Sequence, residues 1–270
     1  MRRTLALTTI LAAVTVSAGA GAGGGPSPGE SFGWPGVVGA KGNLRFVTVP
    51  AARGTVVEAV TVRGGQVMRW HYLHGSFGVP LVAYDNSTGG LARNGRRLVL
   101  VSHRAAAATR FVVLDPKTFK VRTRFGLAGM WAFDALSPGG SLMYLIQYLA
   151  PGSGRYAVRA LNLNTRKLYP GAIVDKREPD EKMTGMPLTR AESSDGSWAY
   201  TFYSRPSKGP FVHALDTLHR RAFCVDLPWS SSAKWLWQVR MRVEGNDLLL
   251  RRGRTPLARV DTKTFEVNPG

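Results

Sequence analysis

From residue 40 to residue 268, apolar and polar positions alternate with a period of two in short runs cut by a recurring tight turn. "SPGGSLMY" at 137–144 and "SSDGSWAY" at 193–200 are two copies of it: polar residues, a glycine, then alternating apolar residues. Further copies are "AKGNLRFVTV" (40–49), "ARNGRRLVLV" (92–101) and "RVEGNDLLLR" (242–251). Gly42, Gly95, Gly140, Gly196 and Gly245 align, at spacings of 53, 45, 56 and 49. A glycine in a short polar stretch supplies the backbone reversal, and the period-two run after it predicts a strand with two distinct faces.

A second element interleaves with the first in constant phase. "FVVLDPKTFKV" (111–121), "VRALNLNTRKL" (158–168), "FVHALDTLHRRAF" (211–223) and "LARVDTKTFEV" (257–267) each read as strand, turn and returning strand; "VEAVTVRGGQV" (57–67) is a weaker copy. The Asp or Asn that opens the turn can bond its own backbone, with Gly or Thr closing it. Positions 63, 115, 162, 216 and 261 repeat at 52, 47, 54 and 45 residues. Each unit of about 50 residues therefore predicts four short antiparallel strands, the content of one propeller blade. The expectation is an all-β chain forming a β-propeller of five four-stranded blades. Its ring would be closed, with residues 40–50 beside 260–268, because no single blade can bury both of its faces.

"FDALSPGGSLMYLIQY" followed by "YAVRALNLNTRKL" resembles the YVTN-type and WD-like propeller repeats of secreted bacterial proteins, over residues 40–268. In those repeats a Ser-Pro-Asp-Gly turn precedes an apolar strand and Asp-x-x-Thr forms the outer hairpin. The sequence departs from the pattern at Gly139, where the repeat has Asp, while the fourth unit keeps Asp195. The resemblance implies a fold and a secreted setting; it supplies no catalytic residues.

The beginning of the chain changes the compartment. Met1-Arg2-Arg3, the apolar stretch Leu5 to Val16 and the small-residue pattern Ala18-Gly19-Ala20 read as a secretory signal peptide over residues 1–20. Residues 21–36, rich in Gly and Pro, read as a flexible leader, and residues 37–270 as the propeller domain. The expected product is secreted, extracellular or associated with the cell envelope, monomeric, and without stable membrane insertion. Cys224 is the one cysteine, so an internal disulfide is excluded, and its apolar neighbours in "RAFCVDL" read it as a small buried hydrophobe.

Lys and Arg outnumber Asp and Glu 36 to 17, a net charge of +19. The basic residues are scattered, without a run or a nucleic-acid motif, so the expected partner is an extracellular protein or an anionic envelope polymer rather than nucleic acid. Neither a metal nor a cofactor is expected: His71 and His74 lie three apart in what reads as a Gly-rich loop with no ligand cluster nearby.

The recurring Gly and Asp turns fall on one face of a propeller and the remaining links on the other. Those links are long: 71–80, 103–110, 150–155, 172–187, 205–210 and 228–234. Long loops on a rigid scaffold carry binding, which places a ligand on the link face. The candidate binding residues are Asp85, Trp131, Asp134, Arg190 and Glu192, with Asp134 and Arg190 aligned between units as a charged pair near the axis. The sequence thus favours a binding or scaffold module that presents its loop-rich face to a protein, peptide or envelope polymer. The alternative is a glycoside-cleaving or other hydrolytic propeller using axial carboxylates such as Asp85 and Asp134.

Overall fold

The tight turns read from the sequence recur with one backbone geometry. In the computed structural model, which describes residues 29–105, 108–150, 154–180, 183–205 and 208–270, the five aligned glycines take φ of +70°, +65°, +72°, +75° and +60°. This is left-handed backbone that glycine adopts without steric cost. The expected signal peptide lies outside the described residues.

Six antiparallel sheets result, and in the five larger ones spatial neighbours are also neighbours in sequence. The first holds Val37–Val38, Leu44–Ala51, Gly54–Thr61 and Val67–His74. The third holds Trp131–Leu136, Leu142–Tyr148, Tyr156–Asn162 and Lys167–Leu168. The fourth holds Met186–Glu192, Trp198–Ser204, Phe211–Asp216 and Arg221–Asp226, and the fifth Val239–Glu244, Asp247–Arg252, Thr255–Asp261 and Val267–Pro269. These four carry the expected four strands. The second sheet has only Leu98–Ala105, Ala108–Leu114 and Val121–Ala128, and a sixth, two-stranded sheet pairs Glu30–Ser31 with Val79–Pro80.

The missing inner strand of the second sheet has a physical cause. Two separate pieces occupy that edge: Gly78 bridges Val101, and Leu91 bridges Leu98. Between them the chain leaves on an excursion, because Pro80 offers no N–H and Gly90 sits at φ +98°, both incompatible with a continuous ladder. The excursion reaches across the molecule, where the amides of Tyr84 and Asp85 donate to the carbonyls of Pro187 and Leu188 at 2.9 and 3.2 Å. A segment of the second unit thereby lies along the inner strand of the fourth.

Consecutive sheets pack face to face. Phe46 and Val57 meet Leu100 and Val112 between the first and second sheets. Val99 and Phe111 meet Phe133 and Leu145 between the second and third. Tyr144 and Ile146 meet Tyr203 and Phe211 between the third and fourth, and Phe202 and Val212 meet Val239 and Leu250 between the fourth and fifth. The apolar run 98–101 is explained at once: alternate residues enter two different buried layers, as expected of a strand covered on both faces. This row of meanders is a propeller arrangement. Among the described residues no buried cluster joins the fifth sheet to the first. Arg240, Arg242 and Arg259 are exposed on the fifth sheet, and Trp70 is exposed on the first, so the expected closure at 40–50 against 260–268 is not marked by a packed core.

Two local expectations change. Part of the expected flexible leader, 29–36, is held in place: the Gly33 amide donates to Thr48, and the Arg45 guanidinium lies 3.7 Å over the Trp34 ring. His71 and His74 lie in a strand rather than a loop, and a spacing of three in a strand sends them to opposite faces.

The Asp turns close on residues the sequence did not single out. Phe119, Arg166, Arg220 and Phe265 each donate their amide to the residue four back and take φ between +55° and +61°. A phenylalanine in left-handed backbone is strained. Packing holds both: Phe119 is buried edge-on to Phe46, and Phe265 stacks on Phe223 at 4.7 Å between centroids.

The opening carboxylates accept backbone amides, as Asp115 does from Lys117 and Thr118 and Asp261 from Lys263 and Thr264. Burial works against the charge of Asp115 and Asp216, but hydrogen bonds from Arg122 and from Arg221 and His219 outweigh it and hold both carboxyls below their ordinary values. At Asp195, hydrogen bonds from Ser193 and Ser197 do the same. A depressed carboxyl stabilises the fold above its unfolded pKa and loses that contribution as pH falls. The urea midpoint should therefore hold from neutrality to about pH 4 and drop below it. In Asp115→Asn/Asp195→Asn/Asp216→Asn the drop should be markedly shallower, because Asn still caps these turns, as Asn162 already does. An unchanged acid limb in that variant would contradict the assignment.

Candidate functional site

The five residues read from the sequence do not converge on one surface. Asp134 and Arg190 do meet: Arg190 Nη1 donates to Asp134 Oδ1 at 2.6 Å and to Thr201 Oγ1 at 2.8 Å, while Nη2 donates to the Asp134 carbonyl at 2.9 Å. Both side chains are only 4% exposed. Burial works against the guanidinium charge, but the carboxylates of Asp134 and Glu192 outweigh it and raise the Arg190 pKa. The pair is thus a buried ion pair linking the inner strands of the third and fourth sheets, closed to a ligand from solvent.

Trp131 is 4% exposed. Its indole N–H is spent on the Ala128 carbonyl and its amide on Thr109 Oγ1, so it offers no stacking surface. Asp85 accepts from the amide and hydroxyl of Ser87 and stands 3.8 Å from Arg240. Glu192 is exposed, 4.0 Å from Arg190. It lines a depression of about 340 Å³ together with Arg45, Ser87, Arg93, Phe133 and Leu136. Ala40, Arg93 and Gly196 from the Gly turns also line it, so this axial hollow opens on the turn face. Among the described residues no group of three or more His, Cys, Asp and Glu side chains is placed to hold a metal ion.

The link face carries a different feature. Tyr84, Met130, Met186 and Trp237 are 40%, 59%, 37% and 51% exposed. Met186 opens the inner strand of the fourth sheet, Met130 and Trp237 precede those of the third and fifth, and the excursion brings Tyr84 to the same end. The Tyr84 and Trp237 rings meet at 6.1 Å with an interplanar angle of 65°. Trp237 rides on a 3₁₀ turn, Lys234–Gln238, whose Leu236 is buried and whose Trp235 packs edge-on against Trp229 at 5.2 Å. The fold anchors this turn by one face and presents Trp237 from the other. Sequence reasoning missed these residues. The only signal was the alternation in "KWLWQ", which does not say which tryptophan faces in.

No protein-family model matches the chain, and no curated protein matches it in sequence. Among solved structures, hydrazine synthase from Kuenenia stuttgartiensis is similar at a TM-score of 0.49 and 12% identity, over 86% of this chain and 64% of that one. The β-propeller domain of Cps50 (Swd1) from Myceliophteria thermophila gives 0.48 and 11%, over 85% and 63%. TolB from Acinetobacter baumannii gives 0.39 and 16%, over 84% and 56%. The chain thus spans less than two thirds of each of these structures. Likeness at this level assigns no activity, and the fold rests on the sheets and clusters above.

Proposed function

We propose that the chain is a secreted binding module, a propeller whose five larger sheets are its blades, and that it holds an extracellular protein or peptide on its link face. The observation that carries this reading is the exposed Tyr84, Met130, Met186 and Trp237 group on a rigid scaffold. Aromatic side chains and Met are enriched at the centres of protein interfaces, and exposed apolar clusters on a folded protein mark contact sites. An apolar group of this kind favours a protein or peptide over an anionic polymer. The Leu5 to Val16 stretch and the Ala18-Gly19-Ala20 pattern support export.

The hydrolytic alternative has less support. Glycoside cleavage needs two carboxylates roughly 5 to 10 Å apart facing one cleft. Asp134 is committed to Arg190, and the axial hollow is lined by one carboxylate, Glu192.

The test is capture of partners from envelope extract by the immobilised chain. Tyr84→Ala/Trp237→Ala should lower capture about tenfold or more, the scale of a lost interface anchor, with the melting temperature nearly unchanged. Lys263→Ala, in the Asp261 turn on the opposite face, should do neither. Equal capture by all three proteins would remove the link face as the binding surface.

A further inference from the structure

Five basic residues, scattered in the sequence, are gathered by the fold at one place on the turn face. Arg96, Arg97, Lys117 and Arg122 line a depression of about 450 Å³ together with Asn94 and Gly139. Arg97 and Arg122 also line a second, of about 370 Å³, with Asn164 and Arg166. The two hollows therefore share a wall made of two guanidinium groups. Asp115 is the one carboxylate in either lining, and it is engaged by Arg122 and by two amides of its own turn. Arg97 is held by a neutral partner, Asn164 Oδ1, at 2.5 Å. Burial first, and the charge of Arg122 second, lower its pKa.

The acid that would neutralise this cluster is missing at the repeat positions around it. The Gly turn of the fourth unit has Asp195; the aligned positions here are Asn94 and Gly139. Asn162 opens the third of these turns where Asp115, Asp216 and Asp261 open the second, fourth and fifth. Nothing in the backbone requires glycine at 139: its φ is not left-handed, and a Cβ there would meet open space. An aspartate would fit, as it does at 195, where it accepts from Ser193 and Ser197 of its own turn, and would add a negative charge at the rim of a cluster of five cations that holds one carboxylate, Asp115.

We propose that this paired hollow is a binding site for a multivalent tetrahedral oxyanion, two adjacent phosphate or sulfate groups gripped by Arg97 and Arg122 at the wall that the hollows share. Guanidinium groups recognise such oxygens with paired N–H donors. Arg96 and Lys117 complete one lobe and Arg166 the other. The site lies on the face opposite the Tyr84 and Trp237 group and is independent of it.

Calorimetric titration of the full chain with inorganic pyrophosphate, methanedisulfonate and orthophosphate tests the assignment. One of the two two-group probes should bind saturably and at least about tenfold tighter than orthophosphate, since its second group adds contacts with the Arg97 and Arg122 pair that a single group cannot make; the tighter of the two identifies phosphoryl or sulfonyl chemistry. Gly139→Asp should weaken this binding several-fold while leaving the melting temperature nearly unchanged. Lys117→Gln/Arg166→Gln, both exposed, should weaken it several-fold, and Arg63→Gln/Arg254→Gln, which removes the same charge elsewhere, should not. The proposal is overturned if neither two-group probe saturates, if orthophosphate binds equally well, if Gly139→Asp binds like the parent, or if the remote pair weakens binding as much as the local one.

Discussion

Arg190→Met should lower the melting temperature by on the order of 10 °C, the largest single effect expected in this protein. Removing one partner of a buried pair leaves the other charge uncompensated and costs about 3–5 kcal/mol. For a domain of this size each kcal/mol is worth about 2–4 °C. Arg190 also bonds Thr201 and the Asp134 carbonyl, so its loss leaves three acceptors behind. Asp134→Leu/Arg190→Met removes both charges and should recover more than half of the single-variant loss, because the desolvation cost disappears with the pair. Asp134→Asn, although destabilised, should still capture partners through the link face. A melting temperature within two or so degrees of the parent for Arg190→Met would show that the pair is not a structural tie.

Gly90→Ala should destabilise by about 3 kcal/mol, and Gly95→Ala by about 1 kcal/mol. Both glycines have left-handed backbone, so both variants carry the conformational cost. Only Gly90 adds a collision: a Cβ there would stand 2.5 Å from the Val99 carbonyl oxygen, whereas at Gly95 it meets nothing. The Val99 amide donates to the Gly90 carbonyl at 2.7 Å, so relieving the clash pulls the returning end of the excursion off the second sheet. Urea unfolding of the two variants separates the terms. Equal losses would mean that the backbone at Gly90 moves aside freely.

The turns were legible in the sequence because they are local. A glycine that reverses the chain and an aspartate that bonds its own amides need no distant partner, and all five Gly positions keep their geometry. The excursion was not legible. "VPLVAYDNSTGG" reads as a broken strand because Pro80 and Gly90 interrupt the ladder, and nothing in it says that Tyr84 reaches Pro187. Trp131 was misjudged for a similar reason: its position at a strand entry was correct, but its burial depends on Thr109 and Ala128, both in strands of the preceding sheet. For the cations, wide separation in sequence hid convergence in space, since Arg97, Arg122 and Arg166 lie at turns and strand ends that the meander brings to one end of two adjacent sheets.

The crossing of residues 84 and 85 to the fourth sheet also orders the assembly of the chain in time. Every meander is made of contacts between neighbouring strands, so each can form as its own segment emerges. The second unit is the exception, because its excursion is anchored about a hundred residues downstream, at Pro187 and Leu188. Until that strand is in place, the amides of Tyr84 and Asp85 lack the carbonyls they donate to in the folded chain. The centre of the molecule is therefore completed late, and the step that completes it also fixes the spacing between units two and four.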